Sequence, residues 1–242
     1  MERHQRSTHT SLDRYPEIFT KVTGLLHATT TSKILSFGCS TGEELVTLRR
    51  YFSLGTLVGA DVNRRALRIA RRTTRGLQDV RVLKSSSEGL TKEGPFDAIF
   101  AMSVLCRHPD TSACEVNKLY SFEAFQRSVA ELDELLSVGG LLVCFNTNYQ
   151  IEDLDLIHRY EIVDCNYAAE SWVVSLFDRS GNRLRQSKPP HCVFRKLTNG
   201  VAWGKLSSPK LKGPLRFGLS SFSTESTGGC WYPYQIKIGE KR

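Results

Sequence analysis

The sequence predicts an α/β fold, a mostly parallel sheet covered by helices on both faces. Two observations carry that prediction. Between residues 33 and 146, short continuous apolar runs alternate with segments whose apolar residues recur at three and four positions. This is the pattern of strands buried on both faces and of amphipathic crossover helices. The first run, "KILSF", also leads into Gly38-Cys39-Ser40-Thr41-Gly42-Glu43-Glu44. That is a glycine-bracketed turn opening a helix, at the place where open parallel sheets hold their ligands.

Taken in order, "RYPEIFTKVTGLL" (14–26) reads as a helix with Pro16 near its first turn. "KILSF" is the first core strand and "EELVTLRRYF" its helix. "TLVGA" follows as a strand, "NRRALRIARRTTR" (63–75) as a helix and "VRVL" as a strand. "FDAIFAM" is another buried strand, announced by Gly94-Pro95. In "FEAFQRSVAELDELLSV" the residues Phe122, Phe125, Val129, Leu132, Leu135 and Leu136 keep helical spacing. Gly139-Gly140 is expected to stop that helix, with "LLVCF" as the next strand. "YEIVDC", "SWVVSLFD" and "HCVFRKL" read as further strands around the turn residues of "DRSGNR", giving an antiparallel C-terminal hairpin at the sheet edge. Beyond 198 the chain turns to Gly, Ser, Lys and Pro, with "GCWYPYQIKIG" as its strand-like stretch. The expected organisation is an N-terminal helical lid segment (1–30), a ligand-binding domain (31–197) and a C-terminal extension (198–242).

A chain of 242 residues with 40% hydrophobic residues has enough apolar surface for a sizeable core. No apolar run approaches the roughly 20 residues a membrane span needs, and "MERHQRSTHT" carries no apolar leader. Seven cysteines stand singly at 39, 106, 114, 144, 165, 192 and 230, with no Cys-x-x-Cys pair. They read as buried free thiols in a reducing cytoplasm, not as a disulfide framework or a zinc site. The formal net charge of +8 owes much to six arginines between 63 and 75. Arg64, Arg68, Arg71 and Arg75 share one helix face, with Ala66, Leu67, Ile69 and Ala70 on the expected packed side. Such a face is either a solvated surface or a contact for a polyanion.

The glycine turn gains meaning from Asp61, which ends the next strand 19 residues after Gly42. An acid at about that separation takes the ribose hydroxyls of a nucleoside bound at the first turn. A dinucleotide site would need small residues where Ser40 and Glu43 stand, and its pyrophosphate would meet the carboxylates of Glu43 and Glu44. Those carboxylates suit a cationic sulfonium bearing an ammonium group. The charge pattern therefore favours S-adenosylmethionine as cofactor. No Walker lysine follows the second glycine.

The motifs "ILSFGCSTGEE", "LVGADVN", "VRVLKSSSEGL", "FDAIFAMSVLCRH" and "LDELLSVGGLLVCF", in this order, resemble those of class I S-adenosylmethionine-dependent methyltransferases. The resemblance covers about 33 to 146, and "CSTGEE" and "FDAIFAMSVL" are similar to chemotaxis-type protein-glutamate methyltransferases. It implies a doubly wound, mostly parallel seven-stranded Rossmann-like sheet. It also implies that Gly38, Cys39, Ser40 and Gly42 carry the methionine moiety, Asp61 the ribose and Val62 the adenine. Ser86 or Ser87 would contact the adenine as well, and Ala101 and Met102 would border the cofactor. Two departures stand out: Ser36 where many members have an acid before the first glycine, and serines where an adenine-contacting acid is usual.

Methyl transfer mostly requires positioning, with a general base only for a protonated acceptor. After the fourth strand, His108 is the candidate base and Arg107 or Asp110 the candidate acceptor contact; Tyr15 is placed to roof the pocket. Cys106 reads as a buried thiol. No Asn-Pro-Pro-Tyr-like sequence, Pro-Cys dipeptide or Asp/Asn cluster marks an amide-nitrogen, cytosine-carbon or magnesium-assisted enzyme, although Asp133 and Asn146 leave the last open. No metal is expected. The leading expectation is a cytoplasmic enzyme moving a methyl group to N, O or S of a small-molecule acceptor. The alternatives are a nucleic-acid (RNA) methyltransferase or binder using the arginine helix with "RLRQSK" and "SPKLKGPLR", a chemotaxis-like protein carboxyl methyltransferase, and a non-catalytic cofactor-binding relative. The oligomeric state is not expressed in the sequence.

Overall fold

The computed structural model describes residues 10–108, 116–163, 165–185 and 190–199. Asp110, Cys114, Cys230, "SPKLKGPLR", "GCWYPYQIKIG" and nearly all of the C-terminal extension lie outside them.

Helix α1 (Pro16–Leu25) precedes β1 (Lys33–Phe37), α2 (Glu43–Tyr51) and β2 (Thr56–Asp61). Then come α3 (Arg64–Thr73), β3 (Val80–Lys84), α4 (Ser87–Glu93) and β4 (Phe96–Met102). The short α5 (Val116–Leu119), α6 (Phe122–Leu135) and β5 (Leu136–Phe145) complete the core, with β6 (Tyr160–Val163) and β7 (Val193–Lys196) at its edge. The seven strands form one sheet in the order β3-β2-β1-β4-β5-β7-β6. β1 to β5 pair in parallel, and β7 pairs antiparallel with both β5 and β6. The chain winds outward from β1 in one direction and from β4 in the other, so the crevice between their carboxyl ends is the topological switch point.

Period-2 alternation sorts the strand side chains onto two cores. Ile34, Leu57, Ala98, Phe100, Leu141 and Val143 meet Ile18, Phe19 and Val22 of α1 and Leu45 and Leu48 of α2 on one face. Leu35, Val58, Ile99, Ala101, Leu142 and Cys144 meet Leu90 of α4 and Phe125, Val129 and Leu132 of α6 on the other. The doubly wound sheet follows from these alternations. Among the described residues, no helix is long and apolar enough to cross a membrane, and Cys39, Cys106, Cys144, Cys165 and Cys192 are free thiols.

Three expectations are corrected. "SWVVSLFD" forms no strand: Ala169–Ser171 is a 3-10 turn and only an isolated bridge, Phe177 to Arg183, follows. Its backbone groups serve the site instead, since the Val173 N–H and the Ser171 carbonyl hydrogen-bond Asn146. The antiparallel C-terminal hairpin itself is present as β6 and β7, with a long connection between its two strands. The helix before β5 ends at Leu135, and Gly139-Gly140 falls inside the strand, where the pairing with β4 shifts register between Phe96 and Ala98. Ile69 of α3 is 47% exposed; Ala66, Leu67 and Ala70 alone form that helix's buried stripe. On the exposed face Arg68 has arginines at both the third and the fourth position on either side. Like-charged pairs at these spacings each cost about 0.2–0.5 kcal/mol.

Candidate functional site

The site is built at the carboxyl ends of β1, β2, β4 and β5. Three non-glycine residues there have left-handed backbones: Ser40 (φ 47°), Ser103 (φ 56°) and Asn146 (φ 55°). Conformations of this kind persist only where their surroundings impose them, and they cluster at functional sites. Two glycines shape the first turn. Gly38 has φ 80°, and a Cβ there would stand 2.5 Å from Cγ2 of Val104, just past β4. Gly42, at φ 99°, caps α2 and would bring a Cβ within 3.0 Å of the Ala70 backbone. Cys39 is different: its side chain is buried against Leu45 and Gly59, and burial together with Asp61 and Glu44 pushes its thiol strongly up.

Asp61 closes the far side of this turn. Its Oδ2 accepts from the Ser40 N–H at 3.0 Å and its Oδ1 from the Asn63 N–H at 2.7 Å. A carboxylate oxygen held by one N–H keeps a second lone pair for a ligand hydroxyl. The half-buried Val62 follows, and the Ser85 N–H donates to the Asp61 carbonyl at 2.9 Å. Ser86 and Ser87 stand at the start of α4, where the Ser86 hydroxyl accepts from the Gly89 N–H at 3.2 Å as N-cap. That duty limits Ser86 as a ligand contact, and the sequence did not announce the helix it caps.

The acid missing from β1 is supplied from α2. Ser36, fully buried, donates its hydroxyl to Oε1 of Glu44 at 2.7 Å. Loss of hydration pushes the Glu44 carboxyl up to about 7, opposed by the Ser36 hydrogen bond and the nearby Arg14 guanidinium. Arg14 lies over the ring of Tyr15, 5.1 Å from its centroid.

A neutral polar cluster completes the rim. The Tyr15 hydroxyl and Ser103 Oγ are 2.8 Å apart. Asn146 Nδ2 lies 3.2 Å from both and 3.2 Å from the Ser171 carbonyl oxygen, three acceptors for two hydrogens. The Tyr15 ring packs at a tilt of 60° against Phe145, with centroids 4.7 Å apart, Phe145 in turn meets Trp172 at 5.1 Å, and burial raises the pKa of the Tyr15 hydroxyl. Ala101 and Met102, buried at the end of β4, lead into Ser103. Arg107 and His108 follow, both half-exposed. The Arg107 N–H donates to Asn148 Oδ1 at 2.7 Å, which ties the β4 loop to the β5 loop. Cys106 is buried, its thiol pushed up to about 11, as expected of an inert sulfur.

The structure thus brings Gly38, Ser40, Gly42, Asp61, Ala101, Met102 and Tyr15 to one rim, with Arg107 and His108 in the segment that follows β4; Asp110 lies outside the described residues. The sequence pointed to Glu44 only through its charge at the start of α2 and to Asn146 only as a metal ligand, and it singled out neither Arg14 nor Ser103. Ser103 and Asn146 each stand directly after a buried strand, a position that marks the rim of an open α/β sheet. Asp133, the other residue considered for a metal, lies at the opposite end of β5 in a separate ion-pair network. Among the described residues, no group of three or more His, Cys, Asp and Glu is arranged to hold a metal.

Residues 34–140 match the family model described as a methyltransferase domain. No curated protein matches the chain. CalS10, an amino pentose methyltransferase from Micromonospora echinaspora solved with S-adenosylmethionine bound, is 22% identical over 61% of this chain and 53% of its own, at TM-score 0.41. The plantazolicin methyltransferase BpumL, solved with S-adenosylhomocysteine, is 20% identical over 60% of this chain and 48% of its own, at 0.39. A candidate rRNA-methylase from Clostridium thermocellum is 12% identical over 76% of this chain and 96% of its own, at 0.48. The chain spans about half the length of the first two.

Proposed function

We propose that the class I, Rossmann-like methyltransferase domain of residues 34–140 binds S-adenosylmethionine and transfers its methyl group to N, O or S of a small polar acceptor. The observation that carries this reading is one rim holding two carboxylates at its two ends. Asp61 faces the nucleoside end, with Ser40 and Asn63 fixing its orientation. Glu44, on the far side of the Gly38–Gly42 turn, suits an ammonium group. The cofactor would supply an electrophilic methyl group on a sulfonium. The glycine surfaces at 38 and 42 would hold the rest of it, with Ala101 and Met102 forming the floor.

Tyr15, Ser103 and Asn146 then orient an acceptor by neutral hydrogen bonds, and the aromatic wall of Tyr15, Phe145 and Trp172 keeps water from it. His108 takes the acceptor's proton where the acceptor carries one, and Arg107 holds its polar end. Tyr15→Phe and His108→Ala are each expected to lower turnover by about ten- to a hundredfold with cofactor affinity within about twofold of the parent. Equal turnover for His108→Ala, read with whichever acceptor a screen identifies, removes the base.

The test of the reading is a calorimetric titration of the chain with S-adenosylmethionine and with S-adenosylhomocysteine. Micromolar binding of both supports it; no heat with either ends it. The Glu44 pKa adds a sharper form. A carboxyl that ionises near pH 7 attracts an ammonium only when deprotonated, so affinity is expected to rise from pH 6 to pH 8. Glu44→Gln should flatten that rise. The folded carboxyl titrates above its unfolded value of 4.5, so the folded state binds the extra proton and stability falls as pH rises through 4.5 to 7. Glu44→Gln should therefore stabilise the ligand-free protein at pH 8, by an amount on the order of 1 kcal/mol. A flat affinity profile in the parent rejects the role of Glu44.

A further inference from the structure

We propose that the exposed arginine face of α3 binds the phosphodiester backbone of a nucleic acid. Arg64, Arg65, Arg68, Arg71, Arg72 and the following Arg75 are all exposed. Among the described residues none of the six is ion-paired, while Arg81, Arg159, Arg179 and Arg195 each face a carboxylate. Packing needs only Ala66, Leu67 and Ala70 from this helix. The rest of it is arranged against its own stability, with four arginines around Arg68 at third and fourth positions. Arg64 and Arg65 occupy the first turn, where no acidic residue stands, although the helix dipole favours acids there. A phosphate backbone relieves both kinds of repulsion at once.

The choice of partner rests on the side chains. All six cations are arginine and none is lysine, and the planar guanidinium fork matches phosphate oxygens two at a time. An anionic membrane would accept lysines equally and needs apolar anchors; α3 exposes only Ile69 among its large apolar residues. The surface is continuous with β3, the edge strand, whose Lys84 is also exposed, and Arg71 is held toward it by a hydrogen bond from Nη2 to the Val82 carbonyl at 3.2 Å. α3 begins three residues beyond Asp61, so a strand lying on it runs past the rim of the candidate site. The proposal does not depend on cofactor binding.

Fluorescence anisotropy of a labelled single-stranded RNA of about 20 nucleotides, with the full chain, tests it between about 50 and about 200 mM salt. The expected result is binding that weakens steeply with salt. In the Arg64→Gln/Arg68→Gln/Arg72→Gln variant, affinity should fall at least about tenfold and the log–log salt slope should shrink by about two. The same variant should keep the parent's thermal midpoint or exceed it, which separates lost contacts from lost folding. Absence of RNA binding at the lower salt overturns the proposal. So does undiminished binding by the triple variant, or tighter binding to vesicles containing phosphatidylserine than to RNA.

Discussion

Asp61→Ala is expected to weaken S-adenosylmethionine binding by about a hundredfold or more. Two hydroxyl hydrogen bonds to a carboxylate, each contributing about 1.5–3 kcal/mol, account for a loss of that size. The residue also organises the protein side of the site, because its two oxygens hold the Ser40 and Asn63 N–H groups. Removing it leaves those amides without an acceptor and frees the left-handed Ser40 to relax. Asp61→Asn separates the two effects. The carboxamide keeps one acceptor oxygen, but its NH2 must face either the Ser40 or the Asn63 N–H, donor against donor. Affinity in the amide variant should fall between parent and alanine, with a thermal midpoint close to the parent's. Calorimetry that finds unchanged affinity in Asp61→Ala takes Asp61 out of the site and with it the nucleoside half of the reading.

The largest loss of stability is expected at Asp133, remote from the site. Its carboxylate accepts from the Tyr160 hydroxyl at 2.6 Å and from Arg159 at 2.9 Å, and Lys196 Nζ lies 3.3 Å away. Lys196 is only 2% exposed and also donates to the Asp133 and Leu136 carbonyls at 2.5 and 3.0 Å. The network joins the end of α6 to β6 and β7, the two antiparallel strands that complete the sheet. Asp133→Ala leaves a buried ammonium facing no carboxylate, a change that costs about 3–5 kcal/mol. For a domain of this size that is a thermal midpoint lower by roughly 10 °C. Pairing the change with Lys196→Met should recover most of the loss, since replacing both partners of a buried ion pair by apolar groups is often near neutral. Thermal melts followed by circular dichroism decide it. A single variant that melts with the parent, or a double variant no better than the single, shows that water reaches the Lys196 ammonium.

Some of this architecture was legible in the residues alone. "KILSF" and "FDAIFAM" became β1 and β4 without a shifted boundary, because a strand buried on both faces writes its whole length as an apolar run. The α1, α2 and α3 segments likewise declared themselves by spacing. α4 did not: "SSEGLTKE" has a single buried apolar residue, Leu90, too few to show a period. "SWVVSLFD" misled for the opposite reason. It is apolar and β-branched, yet its backbone groups are taken by Asn146 before any strand claims them.

By itself the sequence determined the class of fold, the glycine turn and the strand-end aspartate, since each is set by neighbours within one turn or one strand. Only the tertiary structure decided that Glu44 of α2 stands where β1 lacks an acid. It alone decided that Tyr15, Ser103 and Asn146, from three remote segments, share one hydrogen-bonded rim. It also decided that Lys196 is buried against Asp133. Local periodicity is a property of adjacent residues, whereas these contacts depend on which strands lie side by side in the sheet. That order is fixed by the packing of both faces at once, and no single stretch of the chain contains it.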